Sequence, residues 1–155
     1  MKPSKTIGRI LKFGTLWSTS GFVFTVVLQI YARFFLENAP SWTEEASRLF
    51  FIYAIAFASG LALKNNYYVH LDMFFNRFNP KIKRRILFAI PFVTFILFGL
   101  IMIFSIQLII LGIPERSPSM EFNMGFAFFS IFIMSSAICY YALIQILQSF
   151  KSDKK

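Results

Sequence analysis

Between Ala46 and Leu63 the chain carries one charge, Arg48, about a turn inside the run. Roughly 18 to 20 apolar residues is what an α-helix needs to cross the hydrocarbon core of a bilayer, and in lipid every backbone amide must find its partner within the segment. A helix is the conformation open to this stretch, and three further long apolar runs accompany it. With 57% hydrophobic residues, 22 phenylalanines and a mean hydropathy of +0.62, the chain is too apolar for a soluble domain of its length. The expected fold is an all-α integral membrane protein, a single membrane domain over 1–155. Its four transmembrane helices fall at about 14–36, 43–63, 84–112 and 121–150, with short amphipathic interfacial segments beside them.

Local signals place the ends of these helices. Pro40 stops a helix arriving from before, and Ser41 with Glu44 has capping-box spacing for the helix that follows. Ala54, Ala58 and Ala62 recur every four residues on that helix, with Ala56 and Gly60 beside them, a ridge small enough to let another helix approach closely. On the first crossing Ser18, Gly21, Thr25 and Gln29 form a stripe at intervals of three and four, read as a packing surface in which Gln29 finds a hydrogen-bond partner. The basic stretch 1–13 suits a short surface-lying turn or a solvated tail. No small-residue cleavage site follows the first apolar stretch, so that stretch is read as retained and not as a signal peptide. Segment 66–79 is too short and polar to span and reads as an interfacial helix. It carries His70, the only histidine, expected as a structural hydrogen-bonding residue close to Asp72. In the third run Pro91 predicts a kink, and Thr94, Ser105 and Gln107 are its few polar points.

Charge sets the topology. Arg33, Arg48 and Arg116 lie on one side of the four crossings and the other 13 of the 16 Lys and Arg lie on the opposite side, with both termini. Glu37, Glu44, Glu45, Glu115 and Glu121 share the side of the three arginines. The positive-inside rule therefore predicts both termini in the cytoplasm. The same distribution argues against nucleic acid as the partner behind the net charge of +9, since basic clusters beside a crossing address lipid headgroups. Cys139, alone in an apolar run, offers neither a disulfide nor a cysteine metal site.

Chemistry-bearing patterns are scarce. No acid lies within a crossing, and no phosphate loop, metal-ligand spacing or nucleophile-base pair occurs, so neither an enzyme nor a cofactor is expected. The paired helix interruptions of a substrate site in a secondary transporter are missing too. Glu44 and Glu45, four and three residues before Arg48, place an ion pair at one helix end, which serves either as an interfacial pair or as a partner contact. The remaining readings are a helper subunit packed on a larger membrane partner, a membrane anchor of a respiratory enzyme complex, or a small homo-oligomeric channel.

The run from Trp42 to Asp72, with W-x-E-E-x-x-R, a small-residue stretch ending in G-x-A, a polar pair and H-x-D, resembles the small membrane subunit (DctQ-like) of tripartite ATP-independent periplasmic (TRAP) transporters. Trp42, Glu44, Glu45, Arg48, Gly60, His70 and Asp72 carry the match, and Pro118 and Ser119 before the fourth crossing suit it. The resemblance implies a multi-pass protein of the bacterial inner membrane. It also implies a scaffold role in a sodium-driven transporter of organic acids such as C4-dicarboxylates or sialic acid. The partners it implies are a large M-type subunit, which carries the substrate and ion sites and moves as an elevator, and a periplasmic substrate-binding protein.

Overall fold

The computed structural model describes residues 4–36, 40–64 and 80–152. The interfacial segment expected at 66–79, with His70 and Asp72, lies outside the described residues. The described residues form four long α-helices: α1 (Lys5–Phe35), α2 (Trp42–Lys64), α3 (Pro80–Gly112) and α4 (Gly125–Ser152). All four contain a stretch long and apolar enough to cross a bilayer, so the chain is a multi-pass membrane protein.

Helix ends differ from the apolar runs in ways that packing explains. α1 begins at Lys5, well before the first run, because its basic opening continues the crossing and buries Gly8 and Leu11. The amide of Ser4 donates to the Tyr140 hydroxyl at 3.1 Å, which holds this end of α1 against α4. At its other end α4 starts at Gly125, later than the apolar run suggests, because residues 113–124 fold into a structured loop. α3 runs unbroken through Pro91, which is buried.

The helices pack as an open row in the order α1, α2, α4, α3, so α1 and α3 form the edges. Lipid tails are as apolar as leucine, so burying side chains between helices gains little hydrophobic free energy, and close van der Waals fit must hold the row together. Glycine supplies that fit between α1 and α2. A Cβ at Gly14 would fall 2.7 Å from the Phe57 ring, and one at Gly21 would fall 2.7 Å from the Phe50 ring. These glycines are seven residues apart, as are the phenylalanines in reverse order, which is the repeat of two antiparallel helices meeting knob into hole.

A cluster of Leu11, Leu63, Ala137, Ile138, Tyr141, Ala142 and Ile144 joins α1, α2 and α4, and Phe95 and Phe98 of α3 pack against it. The buried Cys139 thiol reaches the Phe95 carbonyl at 3.8 Å, at the contact between α4 and α3. Nine serine and threonine hydroxyls are satisfied within their own helices, whereas the Tyr141 hydroxyl is buried without a partner among the described residues. Thr15, Thr25, Ser47, Ser59, Ser105, Ser130, Ser135, Ser136 and Ser149 each donate to a carbonyl three or four residues back.

Candidate functional site

The first turn of α2 and the α3–α4 loop meet at the end of the row away from the termini. Thr43, 2% exposed, fixes the turn by donating its hydroxyl to the Pro40 carbonyl at 2.9 Å. Glu44, expected to close a capping box with Ser41, instead pairs with Arg48 on the helix surface. Glu45 turns the other way. Its carboxylate accepts from the Ser117 hydroxyl and from the backbone amides of Ser119 at 2.9 Å and Met120 at 2.8 Å. Two adjacent acids that could both have reached Arg48 thus have separate tasks, because neighbouring helical residues point about 100° apart.

The loop that Glu45 grips has its own order. Arg116 and Asn123 form an antiparallel bridge, and the Ser117 amide donates to the Phe122 carbonyl at 2.9 Å. The Glu121 amide donates to the Ser117 carbonyl at 3.1 Å, and Glu121 takes a left-handed φ of 53° to close the turn. Asn123 then clips the two helices together. Its side-chain amide donates to the Ile113 carbonyl at 2.7 Å while its Oδ1 accepts from the Gly125 amide at 2.8 Å. A Cβ at Gly112 would lie 2.9 Å from the Gly125 nitrogen, so only glycine lets the helix ends come this close. Farther along α2, the Tyr53 hydroxyl donates to the Phe126 carbonyl at 2.7 Å.

The result is a polar surface with Glu44, Arg48, Glu115, Arg116 and Glu121 exposed and Trp42 at its margin, 42% exposed. It holds charged groups of both signs. Among the described residues no three His, Cys, Asp or Glu side chains converge as a metal site requires.

Residues of the W-x-E-E-x-x-R to H-x-D pattern do not form one site. Trp42, Glu44, Glu45 and Arg48 stand at this end, whereas Gly60 lies fifteen residues along α2 from Glu45, about 22 Å of helical rise. There Gly60 forms the crossing of α2 with α4: a Cβ on it would fall 2.7 Å from the Ala137 Cβ and 3.0 Å from Leu11 Cδ1. Of the residues read as packing surfaces, Gly21 receives Phe50, and Thr25 is buried with its hydroxyl returned to the carbonyls of Gly21 and Phe22. Gln29, Ala54, Ala58 and Ala62 are half-buried, while the fully buried positions of α2 are Thr43, Ala46, Ser47, Ala56, Ser59, Gly60 and Leu63. Sequence reading did not single out Asn123 or Tyr53, nor link Ser117 to Glu45. The signals available were a turn-forming Ser-Pro pair and an Asn two residues before a helix-starting Gly.

The Glu44–Arg48 pair is exposed, its side chains 55% and 75% accessible. Exposed pairs of this kind contribute at most about 1 kcal/mol, so Arg48→Ala is expected to shift the thermal midpoint of the detergent-solubilised chain by less than about 4 °C. A calorimetric shift well beyond that would place Arg48 in a larger network.

The family model described as "Tripartite ATP-independent periplasmic transporters, DctQ component" matches residues 22–152. A Haemophilus influenzae protein named as a TRAP transporter small permease is 20% identical over 156 residues, covering 99% of this chain and 94% of that protein.

Proposed function

Because the chain belongs to the DctQ component family of tripartite ATP-independent periplasmic transporters, we propose that it is the static scaffold subunit of a sodium-driven carrier of organic acids such as C4-dicarboxylates or sialic acid. In this reading it sits in the bacterial inner membrane with both termini in the cytoplasm, as the segregation of its basic residues supports. It binds and widens a large M-type subunit that moves the solute. Its loop surface around Glu45 faces the periplasm and helps dock the substrate-binding protein.

The observation that carries this reading is the open row of helices. A self-sufficient four-helix bundle closes on itself and buries a stripe of every helix, whereas here α1 and α3 each pack chiefly on one neighbour and expose most of their apolar surface. Such a slab suits the flank of a larger membrane protein. The test is an affinity tag on this chain in native membranes, followed by uptake in proteoliposomes. A large polytopic protein is expected to co-purify, with sodium-dependent uptake appearing only when that subunit and the binding protein are present. Solute flux from this chain alone would overturn the proposal.

A further inference from the structure

Three polar side chains interrupt the apolar part of α3, and they do not face the same way. Thr94 is half-buried, and Ser105 is 2% exposed with its hydroxyl returned to the Met102 carbonyl at 2.7 Å. Gln107 is exposed on the outer face of this edge helix. At 100° per residue, positions 100, 103, 104, 110 and 111 surround it, and the side chains there, Leu100, Ile103, Phe104, Ile110 and Leu111, are each at least 50% exposed. An amide therefore stands in the middle of an exposed apolar face.

A glutamine here cannot be satisfied as the hydroxyls are. Serine and threonine are short enough to return a bond to their own helix, as nine of them do. A primary amide has two donors and a carbonyl to satisfy. The neighbouring bundle shows the alternative: Gln145 of α4 donates across to the Leu63 carbonyl of α2 at 3.0 Å. No described residue makes such a bond to Gln107. Nor does the bilayer surface lie within easy reach. Gln107 is five residues, about 7.5 Å of rise, inside the end of α3 at Gly112. Side chains on a helix lean towards its N-terminus, so this amide is directed away from the nearer interface and deeper into the hydrocarbon. Acyl chains offer no donor or acceptor at that depth, and another protein helix does.

Resting on the scaffold reading, we propose that the outer face of α3, centred on Gln107, is the surface on which the large membrane subunit docks. The contact is a transmembrane helix of that subunit presenting a hydrogen-bonding side chain opposite the Gln107 amide. The outer face of α1 is then the lipid-facing edge. It exposes Leu16, Val23, Phe24 and Val27 around Ser20, whose hydroxyl is short enough to be satisfied by its own helix.

Photocrosslinking in native membranes tests this. A benzophenone side chain replaces Ile103 or Ile110 beside Gln107, and in separate variants Val23 or Val27 on α1. Adducts with the large subunit are expected from the α3 positions. Adducts from α1 alone would overturn the assignment and leave the scaffold reading intact; adducts of this chain with itself from α3 would assign the face to a second copy and overturn it. Lipid adducts alone from both faces, with no large subunit retained by the tagged chain, would remove both. Gln107→Leu is expected to weaken retention of the large subunit roughly three- to tenfold, the scale of one interhelical hydrogen bond in lipid, and Gln107→Asn to lose less. The thermal midpoint of the isolated chain should not move, since the side chain touches none of its own packing. Full retention by Gln107→Leu would overturn the role given to the amide.

Discussion

Gly60→Leu is expected to separate α2 from α4, giving a chain that still inserts but unfolds about 6 to 12 °C below the wild type. The Cβ alone would sit 2.7 Å from the Ala137 Cβ, and that atom is fixed to the α4 backbone and cannot rotate aside. Leu11 Cδ1, at 3.0 Å, closes the other direction. The helices must move apart, and the packing lost is the force that holds helices together in lipid. Overpacking of this kind costs on the order of 3 kcal/mol, from which the shift in midpoint follows. Gly60→Ala should show a smaller loss, of about 1 to 2 kcal/mol, since the clash is confined to one methyl group. Ala137→Gly combined with Gly60→Ala moves that methyl to the opposite wall of the same contact, and is expected to recover most of the loss. Thermal unfolding followed by circular dichroism in one detergent checks the series. An unchanged midpoint in Gly60→Leu, or no recovery in the double variant, would mean that the crossing is not set at Gly60.

The membrane fold was legible because its signal is carried by composition along the chain. Four long apolar runs can be satisfied in lipid only as helices, and the four described helices each contain one. Which face of a helix meets which neighbour was less legible. Gly21 stands out in a polar stripe, but Gly14 becomes meaningful only when its seven-residue offset is matched by Phe57 and Phe50 on the antiparallel partner. That is a pairing between helices and not a property of either. The alanines at 54, 58 and 62 illustrate the same gap. Their four-residue rhythm is compatible with a close contact, yet α2 touches α1 on one side and α4 on another, and the fully buried small residues include Ala56, Ser59 and Gly60. Glu45 is the hardest case. By spacing it shares Arg48 with Glu44, and only the folding back of a loop seventy residues later supplies the three donors it accepts from. Long-range closure leaves no periodicity to read.

That closure makes Glu45 the residue whose loss should most alter the polar end of the molecule. Glu45→Ala deprives the Ser117 hydroxyl and the Ser119 and Met120 amides of one shared acceptor. The hairpin's own bonds remain, from Ser117 to Phe122, from Glu121 to Ser117 and from Met124 to Glu115, and so does the Asn123 clip. The loop is therefore expected to keep its turn but swing free of α2, with the helical row intact. Charge-assisted bonds are the stronger kind, and releasing three at once should raise tryptic cleavage after Arg116 about tenfold or more, because cleavage requires local opening. Glu45→Gln separates charge from shape. Its amide oxygen can accept one backbone N–H while its own NH2 group confronts the other, so cleavage should fall between the wild type and Glu45→Ala. Glu45→Asp keeps the charge on a side chain one methylene shorter, and restoration by aspartate would show that charge rather than reach holds the loop. In the assembled transporter Glu45→Ala should lower uptake at limiting binding protein while the large subunit still co-purifies, because the first depends on the loop surface and the second on the helix faces. Wild-type cleavage in Glu45→Ala would mean that the hairpin's own bonds hold it in place and that the carboxylate is incidental.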